Sequence, residues 1–267
     1  MRLKLIITLG LGFLLFYGPL VCFDIKQAEQ IRQAGPLISV SFLENKNLYL
    51  IHHLIAGLPV LFFGIILNWF QYRQTFWKQY VKPMFILSTC FILWDYFFTS
   101  WGIWGFNPKY YSGIQWIGLP IEEWIWFWII PFCSLFIYEI VKRKIDWSGK
   151  VDGYLSWIML AVLTLLYLLN FDHLYSSWSL AGAIYVVSLS ILWRWKGIAV
   201  FMVSFLWNLI PMYLFNGMLT GLFTEEALVM YNPEEFSNLR LGSFPIEDLG
   251  FGFAYLYGIV IISKFIK

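Results

Sequence analysis

Charge is scarce in this sequence. Asp, Glu, Lys and Arg make up 13 % of its 267 residues and hydrophobic residues 60 %, whereas a soluble domain carries about 25 % charge. That excludes an ordinary water-soluble globule. Net charge is only +2, so there is no basic field for nucleic acid. Cys22, Cys90 and Cys133 stand far apart in apolar segments, without the spacing of a disulfide framework or a metal site. His52 and His53 have no acidic or cysteine partner at ligand spacing, His173 falls in a short loop, and none of the three is assigned chemistry. The chain has no G-x-G-x-x-G, no P-loop, no H-E-x-x-H and no pair of D-x-x-x-D motifs. The signatures of flavin or nicotinamide binding, ATP hydrolysis, zinc proteolysis and Mg-dependent prenyl transfer are therefore missing. Neither a cofactor nor a metal is expected.

What the chain has instead is long apolar runs, with a mean hydropathy of +0.69. Such runs are tolerated in lipid as helices, which satisfy their own backbone hydrogen bonds. Charge, Pro and Gly bound eight candidate spans near 5–23, 47–70, 83–101, 119–141, 153–170, 177–195, 198–217 and 244–265. Arg2 and Lys4 before the first span also suit a signal peptide. No small-x-small cleavage site follows before Asp24, so it is read as a span. Thirteen of the 18 Lys and Arg fall on the side of the N-terminus. The positive-inside bias then places both termini in the cytoplasm of a multi-pass cell-membrane protein, with 102–118 and 218–243 outside.

Those two outward loops are related. Asn107-Pro108 is followed by Pro120-Ile121-Glu122-Glu123, and Asn232-Pro233 by Pro245-Ile246-Glu247-Asp248, every position offset by 125 residues. Upstream, Asp95 with Thr99 four residues later resembles Asn216 with Thr220. Each repeat holds three spans and a single span joins them, so the repeats are parallel, about a pseudo-two-fold axis along the membrane normal. The expected fold is all-α, a polytopic bundle of about eight transmembrane helices with two parallel three-helix repeats. Residues 1–267 form one membrane domain, with an N-terminal helix and outer loop at 1–46, repeats at 47–141 and 177–267, and a linker helix at 142–176.

In each acidic motif Pro suits the first helical position, which puts Glu122 and Glu247 at the third, where a carboxylate can cap the helix. Capping needs one acid. Glu123 and Asp248 are surplus, and lie about 100° further round the helix. Four carboxyls at one depth, facing a bundle interior, suit general acid-base chemistry. Asp95, well inside a span, is costly to bury and is read as functional. Asn216 serves equally well as an interhelical hydrogen-bonding residue, and Asn107 and Asn232 suit turns. Aromatics crowd these motifs: the chain has 15 Trp, 16 Tyr and 26 Phe. Trp94, Trp101, Trp104 and Phe215 are among those that can line a pocket whose π faces stabilise a carbocation.

Taken together, W-D-x3-T from Trp94 to Thr99, the run Trp104 to Pro108, L-P-I-E-E at 119–123, N-G-x-L-T-G at 216–221 and P-I-E-D at 245–248 resemble the integral-membrane, flavin-independent lycopene cyclases of the heterodimeric or fused type. The resemblance covers roughly 83–141 and 198–262. It implies an isomerase of carotenoid biosynthesis, which closes the acyclic ends of lycopene or a related carotenoid to β-rings by acid-base catalysis without net redox change. Glu122, Glu123, Glu247 and Asp248 then handle protons and Asp95 supports them, with Thr99, Thr220, Asn107, Asn216, Asn232 and the aromatics around the substrate. The expected partners are a hydrophobic polyene in the bilayer and membrane lipids, and oligomers or association with other carotenoid enzymes are compatible with this. Rival readings are a membrane cyclase of another terpenoid and a proton-coupled transporter, which also needs intramembrane acids on a repeat axis.

Overall fold

The computed structural model describes residues 2–26, 36, 38–66, 73–145 and 149–266. Among them are eight α-helices: α1 Arg2–Cys22, α2 Leu48–Ile66, α3 Arg73–Ser100, α4 Ile121–Lys144, α5 Gly149–Leu169, α6 Leu174–Leu192, α7 Ile198–Leu219 and α8 Glu247–Ile262. They correspond one for one to the expected spans. Five of them, α3 to α7, are long and apolar enough to cross a membrane, and the protein is a membrane helical bundle. The apolar stretches described in α1 and α2 are shorter, Ile6–Cys22 and Leu48–Val60. With 16 residues, α8 is about 24 Å long, less than a hydrocarbon core of roughly 30 Å. Most of its side chains are buried, as befits a helix at the centre of the bundle.

Several boundaries differ from the sequence reading by three residues or more, two of them for clear physical reasons. Helix α3 begins at Arg73 rather than near 83, because Arg, Gln and Lys propagate a helix as well as apolar residues do. Hydropathy finds the apolar window and not the helix. Helix α8 begins at Glu247 rather than 244, because Phe244 and Pro245 are taken up by a strand.

Helix α1 belongs to the bundle. It packs on α6, its Phe16 ring meets Trp94, Trp178 and Tyr185 edge-on, and Leu15 O accepts the Tyr167 hydroxyl at 2.9 Å. Elsewhere α6 packs against α5 and α8, α2 against α4, α4 against α7, and α3 against α8.

Short strands fold the two motif loops over one end of the helices: β1 Trp104–Phe106, β2 Gln115–Trp116, β3 Leu119–Pro120, β4 Val229–Tyr231, β5 Arg240–Leu241 and β6 Phe244–Pro245. Strands β2 and β3 form one hairpin and β5 and β6 another. Each turn contains a glycine at positive φ, Gly118 at 75° and Gly242 at 65°, where a Cβ would be strained. The hairpins are fastened alike, Ile121 N–H to Ile114 O and Ile246 N–H to Leu239 O, both 3.0 Å. Strands β1 and β4 pair antiparallel, with Gly105 opposite Met230, Trp104 opposite Tyr231 and Phe106 opposite Val229. Gly105 and Met230 are themselves separated by the 125-residue offset, so this is the register that a two-fold axis through the ribbon produces.

Candidate active site

The two acids of each motif have different surroundings. Pro120 is the residue preceding α4, at φ −54° and ψ 142°, and Ile246 precedes α8. Glu122 is therefore the second helical residue and Glu247 the first, not the third, and neither helix has a side-chain cap bond. The expected position was wrong because Leu119 and Pro120 are held in the hairpin, Pro120 opposite Gln115. Glu122 and Glu247 instead anchor the preceding loops. Glu122 Oε1 accepts the Ser112 N–H at 2.8 Å. Glu247 Oε1 accepts the Ser237 N–H at 2.8 Å and the Ser176 hydroxyl at 2.6 Å. Both residues are buried, with Oε2 lacking a hydrogen-bond partner.

Glu123 and Asp248, one residue on, face a cavity of about 400 Å³ among α2, α4, α7, α8 and the β1–β4 ribbon, and Asp95 of α3 joins them. All three are buried. Glu123 Oε2 accepts the Tyr49 hydroxyl from α2. Asp95 Oδ1 accepts the Trp104 indole N–H at 2.6 Å and, weakly, the Thr99 hydroxyl at 3.4 Å, while Oδ2 has no partner. Asp248 is more fully bonded. Its Oδ1 accepts from Tyr175 of α6 and its Oδ2 from Asn216 Nδ2 at 2.6 Å, with Tyr231 OH 3.3 Å and 3.0 Å from the two oxygens. Below the carboxyls the wall is mostly apolar and aromatic, with Trp126, Phe127, Phe215, Phe251 and Tyr255.

Of the residues singled out in the sequence, the cavity lining takes in Asp95, Glu123, Asp248, Trp104, Phe215 and Asn216. The others lie behind it or in the loops. Asn107 and Asn232 close turns, accepting the N–H of Lys109 and Glu234 at 3.0 Å each, and donate to Glu226 and to Lys26 O. Neither lines the cavity: Asn before Pro is held by its own loop. Thr220 bonds Asn216 O, Gly217 O and Ser243 and holds the end of α7. Trp94 packs among Phe91, Phe98, Trp178 and Phe251, and Trp101 stacks on Phe97. Trp94 thus backs the wall at Phe251, and Trp101 lies a layer further out.

Tyr49, Tyr175, Tyr231 and His52 were not anticipated, and all four line the cavity. A signal for two of them existed. Leu48-Tyr49 and Leu174-Tyr175 begin the paired helices α2 and α6 at nearly the motif offset, but one dipeptide does not stand out among so many tyrosines. His52 Nδ1 lies 3.4 Å from His53 Nδ1, and its Nε2, near the backbone of Phe215, forms no hydrogen bond of normal geometry. His53 is tied to Glu122 O at 2.9 Å. Among the described residues no group of three or more His, Cys, Asp or Glu is placed to hold a metal ion.

Comparison with known proteins agrees with the motif loops. A family described as lycopene cyclase matches residues 45–141 and 172–266, more than half of the chain. No curated protein and no solved structure matches it. With its helical bundle and its two matched regions, each containing an acidic motif, the chain belongs to the lycopene cyclase family.

Proposed function

We propose that this protein closes rings on the acyclic end groups of lycopene or a closely related carotenoid within the membrane, giving β-rings, as an isomerase acting by acid-base catalysis without cofactor or metal. The observation that carries the reading is the convergence of Asp95, Glu123 and Asp248 on one apolar, aromatic cavity. Carboxyls in such a place have protons to exchange with a hydrocarbon and little else to bind.

The steps balance without redox. A carboxyl proton adds to the terminal double bond of the polyene and leaves a tertiary cation. The π electrons of a second double bond attack that cation, which forms the ring bond and moves the charge onto a ring carbon. A carboxylate then removes a neighbouring proton, and the electrons of that C–H bond become the ring double bond. Trp104, Phe127 and Phe251 in the wall supply aromatic rings whose π electrons can stabilise the cation.

The two halves of the cavity suit different roles. Asp248 receives hydrogen bonds on both oxygens from Tyr175, Tyr231 and Asn216, an arrangement that favours a carboxylate acting as base and as counter-charge to the cation. Glu123 and Asp95 lie on the other side, with Asp95 Oδ2 unpartnered, and this pair holds the proton that is donated. The shared loop bonds and the β1–β4 register support parallel repeats, and the positive-inside bias is the ground for placing the motif loops outside and both termini in the cytoplasm.

Expression in a host that accumulates lycopene, followed by HPLC of the pigments, tests the reading. Cyclic carotenes should replace lycopene. Unchanged lycopene alongside consumption of another isoprenoid would move the protein to a different terpenoid substrate.

A further inference from the structure

The carboxyls occupy one end of the cavity, and the cavity is long. Along α4 its wall runs from Glu123 to Ile140, about 25 Å at 1.5 Å per residue. Along α7 it runs from Leu219 back to Phe205, about 21 Å. Helices α2 and α8 contribute their acid-end residues, Tyr49 and Asp248, to the same end. That end is roofed by Trp104 and Phe106 of β1 and Val229 and Tyr231 of β4. The opposite end is lined by Val60, Phe136, Ile137 and Ile140, and between the two the polar groups are His52, one turn beyond Tyr49, Cys133, Ser134, Asn208 and Tyr255. No Asp or Glu other than Asp95, Glu123 and Asp248 is among the described lining residues.

We infer that the cavity takes one linear polyene end first and lengthwise, with an end group against the carboxyls and the rest of the chain along the α4–α7 seam toward Ile140. Each binding event therefore closes one ring, and a molecule with two acyclic ends must leave and return reversed before the second closes. The inference rests on the cyclase reading, and follows from stiffness. A conjugated chain cannot double back within a slot of about 400 Å³, so both ends never reach the single set of carboxyls in one pose. At about 25 Å the slot nearly matches a hydrocarbon core of roughly 30 Å, which suits a polyene standing along the membrane normal.

Two readouts on the full chain in membranes test this, and they fail separately. The first uses a polyene with one acyclic end and a diazirine at the other, photolysed in place and mapped by mass spectrometry. Adducts are expected at Phe136, Ile137, Ile140 or Val60. Adducts at Trp104, Phe106 or Tyr231, or spread evenly along the cavity, would overturn the orientation. This readout needs no turnover, so inactivity would sink the cyclase reading and leave the slot testable. The second follows labelled lycopene in time while unlabelled monocyclic carotene is supplied. Labelled monocycle should build up before any bicycle and the unlabelled monocycle should enter the bicyclic pool, diluting its label at least several-fold. A bicycle that forms from the start with undiluted label would overturn one-end binding. As a check on the far wall, Ile137→Trp should raise KM for lycopene about tenfold or more and spare a shortened polyene with the same end group. An equal effect on both lengths, or no effect on either, counts against the slot.

Discussion

Asn216 donates its side-chain amide to Asp248 Oδ2 at 2.6 Å, whereas the residue in the corresponding place beside Glu123 is a second carboxyl, Asp95. Other positions differ as well, Phe106 standing where the second repeat has Tyr231, but this substitution of amide for acid changes the number of carboxyls. An amide can donate permanently to a carboxylate but supplies no proton to an alkene. In the proposed reaction that asymmetry assigns proton donation to the Asp95–Glu123 side and proton removal to Asp248.

Making the clusters alike should impair the enzyme. In Asn216→Asp the donor to Asp248 is lost and a like charge replaces it, so conversion of lycopene is expected to fall at least tenfold with folded protein still in the membrane. HPLC of pigment per unit of immunodetected protein measures this, and wild-type conversion would remove the distinction between the clusters.

The four motif acids should divide in pairs. Glu123→Gln and Asp248→Asn are expected to lose on the order of 10² to 10⁴ in rate, the usual worth of general acid-base catalysis. In Glu122→Gln and Glu247→Gln the amide oxygen still accepts the N–H of Ser112 or Ser237, and activity should stay within a few-fold. Alanine at either position leaves a buried N–H unsatisfied at a cost of about 1 to 3 kcal/mol, read as a lower melting temperature in detergent. A uniform loss across all four amides would put the loop-anchoring acids back among the proton carriers.

Turnover should survive exhaustive flavin removal and chelation, since the sequence contains no dinucleotide fingerprint. Purified protein in lipid, assayed with and without added flavin or divalent metal, decides the matter. Activity that is lost on removal and restored by either addition would refute it.

Sidedness follows from the charge count. In a chain freed of native cysteines, Lys109→Cys should label with an impermeant thiol reagent from outside and Lys144→Cys only after permeabilisation. Lys109 gives up an exposed bridge to Glu44, 2.9 Å in length, of a kind worth at most about 1 kcal/mol. External labelling of both positions would overturn the orientation and with it the parallel repeat.

An acid-sensitive staple joins the outer loops. Partial burial works to raise the Glu44 carboxyl, but hydrogen bonds from Tyr110 and the Glu225 N–H and the ammonium of Lys109 outweigh it and hold the group below its ordinary value of 4.5. A depressed folded value means that the stabilisation is complete above the ordinary value and disappears as pH falls through the lower, folded one. Cleavage of the loops by an acid-active protease should therefore rise as pH drops below 4.5, and Glu44→Gln should flatten that rise. An unchanged profile in the variant would assign the acid sensitivity to another group.

Much of this protein was legible in its sequence because membrane solvation writes directly into composition. Few charges and long apolar runs demanded helices, and eight stand among the described residues. The offset between Glu122 and Glu247 placed two acidic turns in equivalent loops, and the motifs around Asp95, Asn107 and Asn216 pointed to the family. What the sequence by itself left undecided is which acid of each pair faces the cavity, since neighbours on a helix differ only by about 100° in direction. That direction was decided by α2 and α6, which bring Tyr49 to Glu123 across 74 positions and Tyr175 to Asp248 across 73. The hairpin pairing that takes up Pro120 moved Glu122 off its expected capping position and onto the Ser112 N–H. Partners so distant in the chain, and strands of two residues, carry no local periodicity, so only the packed tertiary structure distinguishes an anchoring acid from one that faces the cavity.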